Sequence, residues 1–370
     1  MILYGSERFS DKVEILSFDL PKLTPQDQKD LWNHYLETLA PSLNGQVGAI
    51  VSQFNLNANT IEIVSRQAIA QVSALNQGSE PDAQEITNIL WKICRTQSRS
   101  SLEDLVQRIE PKTTWDELIL PPDSASILHQ IIATIEQRAK VYDQWQMGGN
   151  TRRGMGITSL FYGPSGTGKT TAAEIIAHDL KLDLYRVDLS QVSSKYIGET
   201  EKNLEKVFDS AESSGAVLLF DEADSIIGKR SEVKDARDRY ANQEVGYLLQ
   251  RMEEYSGLAI LTTNLPNSLD SAFMRRIRFS VRFEYPNPEQ RAQIWQKSFP
   301  STTPTQSLSF QRLSQLNVSG ASIRNIAMGS AFLAAKEGDT IFMKHILAAA
   351  HAECQKLGRS ITDQEIRGWV

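Results

Sequence analysis

A glycine-rich octapeptide constrains the fold of this chain more than any other feature of its sequence. Residues 163–170 read GPSGTGKT, which fits the pattern G-x-x-x-x-G-K-[ST]. An apolar run at 158–163 precedes it and a helical pattern over 169–180 follows, which is the context that such a loop requires. Its glycines let successive backbone N–H groups point at phosphate oxygens, and the start of the helix adds positive dipole. The sequence therefore predicts a phosphate-binding loop.

The residues of this loop are the first candidates for nucleotide contacts. We expect Lys169 to contact the β- and γ-phosphates and the hydroxyl of Thr170 to ligate Mg²⁺. ATP and Mg²⁺ are thus the expected cofactors. The candidate nucleotide-binding residues of the loop are Gly163, Pro164, Ser165, Gly166, Thr167, Gly168, Lys169, Thr170 and Thr171.

Polar side chains that follow two other apolar runs complete the expected site. Residues 218–224 read LLFDEAD, and ligands bind at the carboxyl ends of strands in open α/β sheets. We expect Asp221 to hold Mg²⁺, directly or through water, and Glu222 to act as the general base on the attacking water. Asn264 ends the run at 257–264 and is expected to orient that water or contact the γ-phosphate. Asp224 is interpreted as structural.

The arrangement of apolar runs predicts an α/β fold with a doubly wound parallel sheet, because short runs alternate with helical segments. The predicted strands are 158–163, 183–189, 216–220, 257–264 and 280–286. The helices predicted after residue 288 are 289–299, 308–317, 321–337 and 341–356. Before residue 111 the chain reads as mostly helical, and a short helix is expected to end before Pro111.

Length and composition limit the remaining possibilities. At roughly 150 residues per domain, 370 residues allow two or three domains. The net charge is −6, and residues 1–110 carry 9 Lys/Arg against 14 Asp/Glu, so no basic stripe indicates a nucleic-acid partner. No apolar run approaches the ~18 residues of a membrane span, and the first twenty residues lack a signal-peptide core. With only two cysteines, we expect a cytoplasmic protein without disulfides.

A weak internal repeat links the two helical regions. At a shift of 262 residues, 51–64 aligns with 313–326, and Ser52, Gln53, Asn55 and Ile61 meet identical residues. Upstream, 18–32 is similar to 283–295, and Trp32 and Trp295 correspond with a one-residue slip. Two helical hairpins can agree by chance, but the recurrence of these features in the same order favours a structural repeat.

These motifs in this order resemble the AAA ATPases, a branch of the P-loop NTPases with an additional strand. The resemblance covers 115–358 and is carried by GPSGTGKT, LLFDEAD, TTN at 262–264 and LDSAFMRRIRF at 269–279. It implies a large subdomain at 111–286 with a parallel five-stranded sheet of order 5-1-4-3-2. It further implies a helical lid at 287–358, followed by a C-terminal tail at 359–370, and assembly into hexameric rings with nucleotide between neighbours.

The resemblance also implies roles for side chains outside the phosphate loop. Arg275 and Arg276 lie where the family places arginine fingers, which act on the site of the next subunit. Arg324 resembles a sensor-2 arginine of the lid, and Ser322 is a competing alignment for that position. Gly320 and Ala321 are expected near the adenine. Leu118 to Leu120 are candidates for covering the base, although ordinary core contacts explain that segment nearly as well.

Two further segments resemble loops that face the channel of a ring. The sequence SKYIGETEKNL at 194–204 resembles pore loop 1, so that Lys195, Tyr196 and Ile197 would contact a polypeptide in the channel. The charged segment 228–240 is either a second pore-facing loop or a solvated charge run.

The N-terminal region takes its meaning from the same resemblance. Residues 18–75 resemble a second AAA lid, and 1–110 reads as the remnant of an inactive AAA module with linker helices, or as a fragment of a longer chain. The whole pattern resembles a bacterial AAA group that includes members associated with contractile injection systems.

The preferred hypothesis is an ATP-hydrolysing ring that remodels or translocates a polypeptide partner. The alternative is a nucleotide-gated assembly factor or scaffold with slow turnover, for example for a phage-tail-like contractile injection particle. A nucleic-acid motor is disfavoured, because it would need a basic channel. Neither a nucleic acid nor a membrane is an expected partner.

Overall fold

The fold is described from a computed structural model. The structure describes residues 23–36, 39, 43, 46–75, 82–98, 106–147, 156–192, 199–224, 236–264, 271–338 and 340–369. None of the helices in these ranges is both long enough and apolar enough to cross a membrane.

A six-stranded sheet forms the centre of the structure. Its strands are β1 (Val106–Ile109), β2 (Ile157–Tyr162), β3 (Leu184–Asp188), β4 (Val217–Asp221), β5 (Leu258–Thr263) and β6 (Phe279–Arg282). From edge to edge the order is β1-β3-β4-β5-β2-β6. Strands β2 to β6 are parallel and lie in the predicted order 5-1-4-3-2, so this part of the expectation is confirmed.

The sixth strand, β1, corrects the sequence-based expectation of five strands. It pairs antiparallel with β3, with Val106 opposite Val187 and Ile109 opposite Leu184, in the segment predicted as a short helix before Pro111. Four residues are too few to show a period, and their conformation depends on the open edge of β3. The strand covers an edge that would otherwise expose unpaired backbone groups.

Helices cover both faces of the sheet because its central strands are mainly apolar and buried. All residues of β5 and residues 217–220 of β4 are buried, which is typical of parallel strands with two covered faces. The helices of this region are α5 (Pro122–Glu136), α6 (Lys169–Asp179), α7 (Leu189–Val192), α8 (Glu199–Ser214), α9 (Ala236–Glu254) and α10 (Ser271–Met274). One apolar core includes residues of α5 and α6, and a second core on the other face includes residues of α8 and α9.

The N-terminal helices pack against the sheet region rather than standing apart from it. They are α1 (Pro25–Leu36), α2 (Gln46–Gln53), α3 (Ala58–Leu75) and α4 (Ala83–Gln97). The amide of Gln53 donates to the carbonyl oxygen of Gly215 at 2.6 Å, and the buried guanidinium of Arg138 donates to Oε1 of Gln53 at 2.9 Å. The apolar core of this bundle is also continuous with the core on the α6 face of the sheet.

The C-terminal helices pack around an apolar core of their own, and we refer to them as the lid. They are α11 (Pro288–Lys297), α12 (Phe310–Leu313), α13 (Gly320–Glu337) and α14 (Met343–Lys356). Helices α3 and α13 both have 18 residues, and their bounds differ by the 262 residues of the repeat. Trp32 in α1 and Trp295 in α11 are both fully buried. These correspondences support the structural repeat, while its origin in an inactive module stays a prediction.

The last residues pack on the lid. Trp369 is 3% exposed within the lid core, and its indole N–H donates to the carbonyl oxygen of Arg312 at 3.1 Å. The guanidinium of Arg359 binds Glu365, whose carboxylate also accepts from the backbone N–H of Asn317 at 3.0 Å. The stretch predicted as a tail at 359–370 therefore contributes to the lid core.

We expect Trp369→Ala to destabilise the lid by about 3–5 kcal/mol, because it leaves a cavity in the core. Native-state hydrogen exchange of the amides in α12 and α13 measures this free energy. Phe332→Ala is the matched control, since Phe332 is 73% exposed on the same lid and should change the value by less than ~0.5 kcal/mol. Unchanged protection in Trp369→Ala would mean that the C-terminal residues do not support the lid.

Candidate functional site

A cleft of about 240 Å³ lies where the glycine-rich loop, the strand ends and the lid meet. Its lining residues are Glu117, Leu118, Ile119, Ser165, Gly166, Thr167, Gly168, Lys169, Thr170, Thr171, Asp221, Glu222, Thr262, Asn264, Ile294, Gly320, Ala321 and Arg324. The structure thus brings most of the residues predicted from separate motifs into one cleft at the carboxyl ends of β4 and β5.

The loop between β2 and α6 requires glycine at positions that face other parts of the cleft. Gly166 has φ +76°, and a Cβ there would lie 2.7 Å from Oγ of Ser319 in the lid. Gly168 has φ +99°, and a Cβ there would lie 2.7 Å from Cδ1 of Leu118. Left-handed backbone is unfavourable for other residues. The loop backbone therefore lies directly against both the lid and the segment that contains Leu118.

Lys169 is held at the centre of this loop by oxygen atoms. Its ammonium donates to the carbonyl oxygens of Gly163 at 2.7 Å and Pro164 at 2.9 Å, and to Oδ1 of Asn264 at 2.9 Å. Burial lowers the pKa of Lys169, and the nearby carboxylates, that of Asp221 foremost, oppose this shift. The ammonium is therefore positioned at the phosphate loop and joined to the end of β5.

The Asp221 carboxylate at the end of β4 is bound from both neighbouring strands. The hydroxyl of Thr262 in β5 donates to its Oδ1 at 2.5 Å, and Nη2 of Arg186 in β3 lies 2.8 Å from its Oδ2. The next residue, Glu222, is exposed and has φ +53°, and its backbone N–H donates to the Thr262 hydroxyl at 3.1 Å. A non-glycine residue in this conformation is uncommon and typical of functional sites.

Asp224 fixes the position of Asn264. Its Oδ2 accepts from the backbone N–H of Asn264 at 3.0 Å, and its Oδ1 accepts from the hydroxyl of Thr263. The Asn264 side chain then reaches Lys169. These contacts agree with the structural interpretation of Asp224, and they place the Asn264 amide inside the cleft.

The lid closes the cleft through the first turn of α13. The Ser319 hydroxyl caps this helix by accepting from the backbone N–H of Ser322 at 3.2 Å, and the N–H of Ala321 donates to the carbonyl oxygen of Gly166 at 3.1 Å. Arg324 lines the cleft and donates to the carbonyl oxygen of Glu117 at 2.7 Å. Ser322 is buried, with its hydroxyl 3.2 Å from that of Ser319. Of the two sensor-2 candidates, only Arg324 lines the cleft.

Other predicted residues lie away from the cleft. Arg275 and Arg276 are exposed just after α10, neither lines the cleft, and Nε of Arg276 lies 3.6 Å from Oε1 of Glu253. Lys195, Tyr196 and Ile197, predicted to face a pore, lie outside the described residues, as does most of the segment 228–240. Leu118 and Ile119 line the cleft as candidates for contacts to a base, whereas Leu120 packs against the core.

The residues present fit a nucleoside triphosphate with Mg²⁺. Positions 166 and 168 are glycines, and a Cβ at either one would clash with a neighbouring residue. The backbone of the loop is therefore uncovered next to the Lys169 ammonium and the N-terminus of α6. Thr170 and Asp221 line the cleft and carry oxygen atoms of the kind that Mg²⁺ prefers as ligands. In the described ranges, no group of three or more His, Cys, Asp and Glu side chains could hold a metal. Coordination shared with phosphates and waters is common for Mg²⁺.

Comparison with known proteins identifies the domain that carries this cleft. Residues 159–287 match the ATPase family associated with various cellular activities (AAA). The chain contains an AAA ATPase domain. Residues 24–100 match the helical domain of contractile injection system ATPases, so the N-terminal bundle is a helical domain of that type. Members of the AAA family are ATPases.

Individual relatives agree with this assignment. An uncharacterised AAA family ATPase, y4kL, of Sinorhizobium fredii is 34% identical over 50% of this chain and 53% of its own. The peroxisomal ATPase PEX6 of Saccharomyces cerevisiae is 34% identical over 46% of this chain and 16% of its own. The proteasome-activating nucleotidase 1 of Haloferax volcanii is 25% identical over 82% of this chain and 74% of its own. The chain spans about half the length of the first two curated relatives it matches.

Sequence reasoning assigned no role to Arg186, which binds Asp221, or to Thr262 and Ile294, which line the AAA cleft. Arg186 is a charged residue that interrupts the buried residues Leu184, Tyr185 and Val187 of β3, which was the one available signal. Thr262 and Ile294 look like ordinary strand and helix residues, and only the packing of β5 and α11 brings them to the site.

We expect Gly168→Ala to weaken nucleotide binding at least tenfold. Left-handed backbone costs a residue with a Cβ roughly 1–2 kcal/mol, and the new methyl would press on Leu118, so the loop must shift. Titration with a fluorescent ATP analogue measures the effect. Gly246→Ala is the matched control, because that glycine lies in α9 with open space around it and should bind like the wild type. Wild-type affinity in Gly168→Ala would contradict the requirement for glycine.

Proposed function

We propose that this protein hydrolyses ATP to ADP and phosphate at the cleft of its AAA domain. The observation that carries the proposal is the convergence of the Lys169 ammonium, the Asp221 carboxylate and the Asn264 amide at one cleft. Thr170 and Asp221 would hold Mg²⁺, which when bound neutralises charge on the transferring phosphoryl group. Glu222 would act as general base on water, and Arg324 would contact the γ-phosphate from the lid. Gly320 and Ala321 would lie near the adenine.

The same proposal assigns Arg275 and Arg276 to the site of a neighbouring subunit. Both are exposed and neither lines the cleft of their own chain, which supports a role in trans. An arginine that enters from a neighbour stabilises charge during phosphoryl transfer and couples hydrolysis to assembly. We therefore propose a homo-oligomeric ring, a hexamer by resemblance to the family.

The proposed substrate is a polypeptide that the ring remodels or translocates. The sequence at Lys195, Tyr196 and Ile197 supports this, as does similarity to a relative named for activating the proteasome. The second candidate is an assembly factor or scaffold with slow turnover, and the helical domain of the contractile injection system type favours it. A cytoplasmic location stays a prediction from the sequence.

We expect specific ATPase activity per subunit to rise steeply with protein concentration, because each site is completed by a neighbour's arginine. Steady-state hydrolysis over a wide concentration series measures this dependence. A rate that is flat and low would contradict completion in trans, and the scaffold function would then become the preferred one.

Three variants make this test specific for the cleft. Glu222→Gln should bind ATP but hardly hydrolyse it. Of Arg275→Ala and Arg276→Ala, the variant that removes the arginine acting on the neighbouring site should lower turnover by about 10³-fold or more. A mixture of Glu222→Gln with the inactive arginine variant should regain activity, because an intact Glu222 then meets an intact arginine across an interface. Arg282→Ala is the matched control, since Arg282 is also exposed and is paired with Glu284. A mixture that stays inactive would exclude fingers in trans.

Tyr196→Ala distinguishes the two candidate functions. If an aromatic side chain grips polypeptide in the channel, this variant should retain ATPase activity and lose unfolding of a tagged model protein. Tyr255→Phe is a control for loss of a tyrosine hydroxyl at a buried position, since Tyr255 lies in the core beside α8. Unchanged unfolding by Tyr196→Ala would remove the threading mechanism.

A further inference from the structure

The ion pair between Arg186 and Asp221 connects β3 to the proposed metal site. Strands β3 and β5 flank β4 in the sheet, and each supplies one partner to the carboxylate at its end. Nη2 of Arg186 lies 2.8 Å from Oδ2 of Asp221, while the Thr262 hydroxyl donates to Oδ1 at 2.5 Å. We propose that Arg186 is a positioning residue that orients the Asp221 carboxylate for Mg²⁺. This inference rests on the proposed ATPase function.

The surroundings of the Arg186–Asp221 pair indicate that it orients the Asp221 carboxylate rather than stabilises the fold. The Arg186 side chain is 42% exposed and that of Asp221 is 13% exposed. Ion pairs with so much access to water contribute little to the stability of a fold. The Asp221 side chain, in contrast, has little freedom once Thr262, which is 1% exposed, and Arg186 each bind one of its oxygens.

The two contacts leave the carboxylate able to serve a metal. An ionised carboxylate has about four lone-pair sites, so one partner on each oxygen leaves two sites for the ion or for its bound waters. Partners that hold a metal-binding carboxylate commonly change metal affinity by 10- to 100-fold when they are removed. Arg186 therefore sets how strongly Mg²⁺ improves nucleotide binding, without touching the nucleotide itself.

The test measures binding of a fluorescent, non-hydrolysable ATP analogue as MgCl₂ is titrated into the full chain, starting from EDTA. In Arg186→Met, we expect the Mg²⁺ concentration for half-maximal enhancement to rise about tenfold. Binding in EDTA should stay within about twofold of wild type, because the phosphate loop and Lys169 are intact. Arg186→Lys should recover part of the loss, since it restores the charge but not the forked geometry of the guanidinium.

Arg108→Met is the matched control. Arg108 lies on the neighbouring strand β1, is 40% exposed, and pairs with Asp183 at 3.5 Å, far from the carboxylate at the end of β4 in the strand register. Its Mg²⁺ titration should equal that of the wild type. Thr262→Val removes the other donor while keeping the side-chain volume, so it should shift the titration in the same direction as Arg186→Met and provides a second test if that variant fails to fold.

The outcomes separate this inference from the function on which it rests. A wild-type chain that binds no analogue, with or without Mg²⁺, would contradict the proposed function itself. A wild type that responds to Mg²⁺ together with an unchanged Arg186→Met titration would overturn the positioning role alone. Tighter Mg²⁺ binding in Arg186→Met would overturn it as well, because the guanidinium would then act only as a competing positive charge.

Discussion

The AAA cleft depends on the position of one buried ammonium group. Lys169 is 8% exposed, and its Nζ is bound by two carbonyl oxygens of the phosphate loop and by the Asn264 side chain. Such burial is unfavourable for a cation unless it is hydrogen-bonded and near opposite charge. The loop, the end of β5 and the carboxylates after β4 must therefore come together for the ammonium to remain charged.

This requirement explains why so much of the surrounding structure is polar and connected. Asp224 holds the backbone of Asn264, and Thr262 joins the carboxylate of Asp221 to the backbone N–H of Glu222. Asp221 and Asn264 are thus each held by a residue that belongs to the neighbouring strand or follows it. Preorganised charges of this kind need little rearrangement during a reaction, which is how polar sites stabilise transition states.

The sequence predicts those parts of the fold and site that follow from local pattern. The strands β2 to β6 stand out as short, mainly apolar runs, and the loop with Lys169 carries a motif of its own. Strand β1 does not, because its four residues become a strand only by pairing with β3. Arg186 was missed for a related reason: only the register of the sheet, which sets Arg186 opposite Leu219, shows that its long side chain can reach Asp221 two residues further along β4. Tertiary contacts, not local preference, determine both features.

The two helical bundles show how similar elements can be held differently. The core of the N-terminal bundle is continuous with that of the sheet, and Gln53 and Arg138 add buried polar contacts there. The lid has a separate apolar core and meets the large subdomain partly through polar contacts at the cleft, such as that of Arg324 with Glu117. Moving the N-terminal bundle would expose apolar surface at a high cost in free energy, whereas these lid contacts can exchange with water or phosphate. Of the two bundles, the lid is the one that supplies lining residues of the cleft, from α11 and α13.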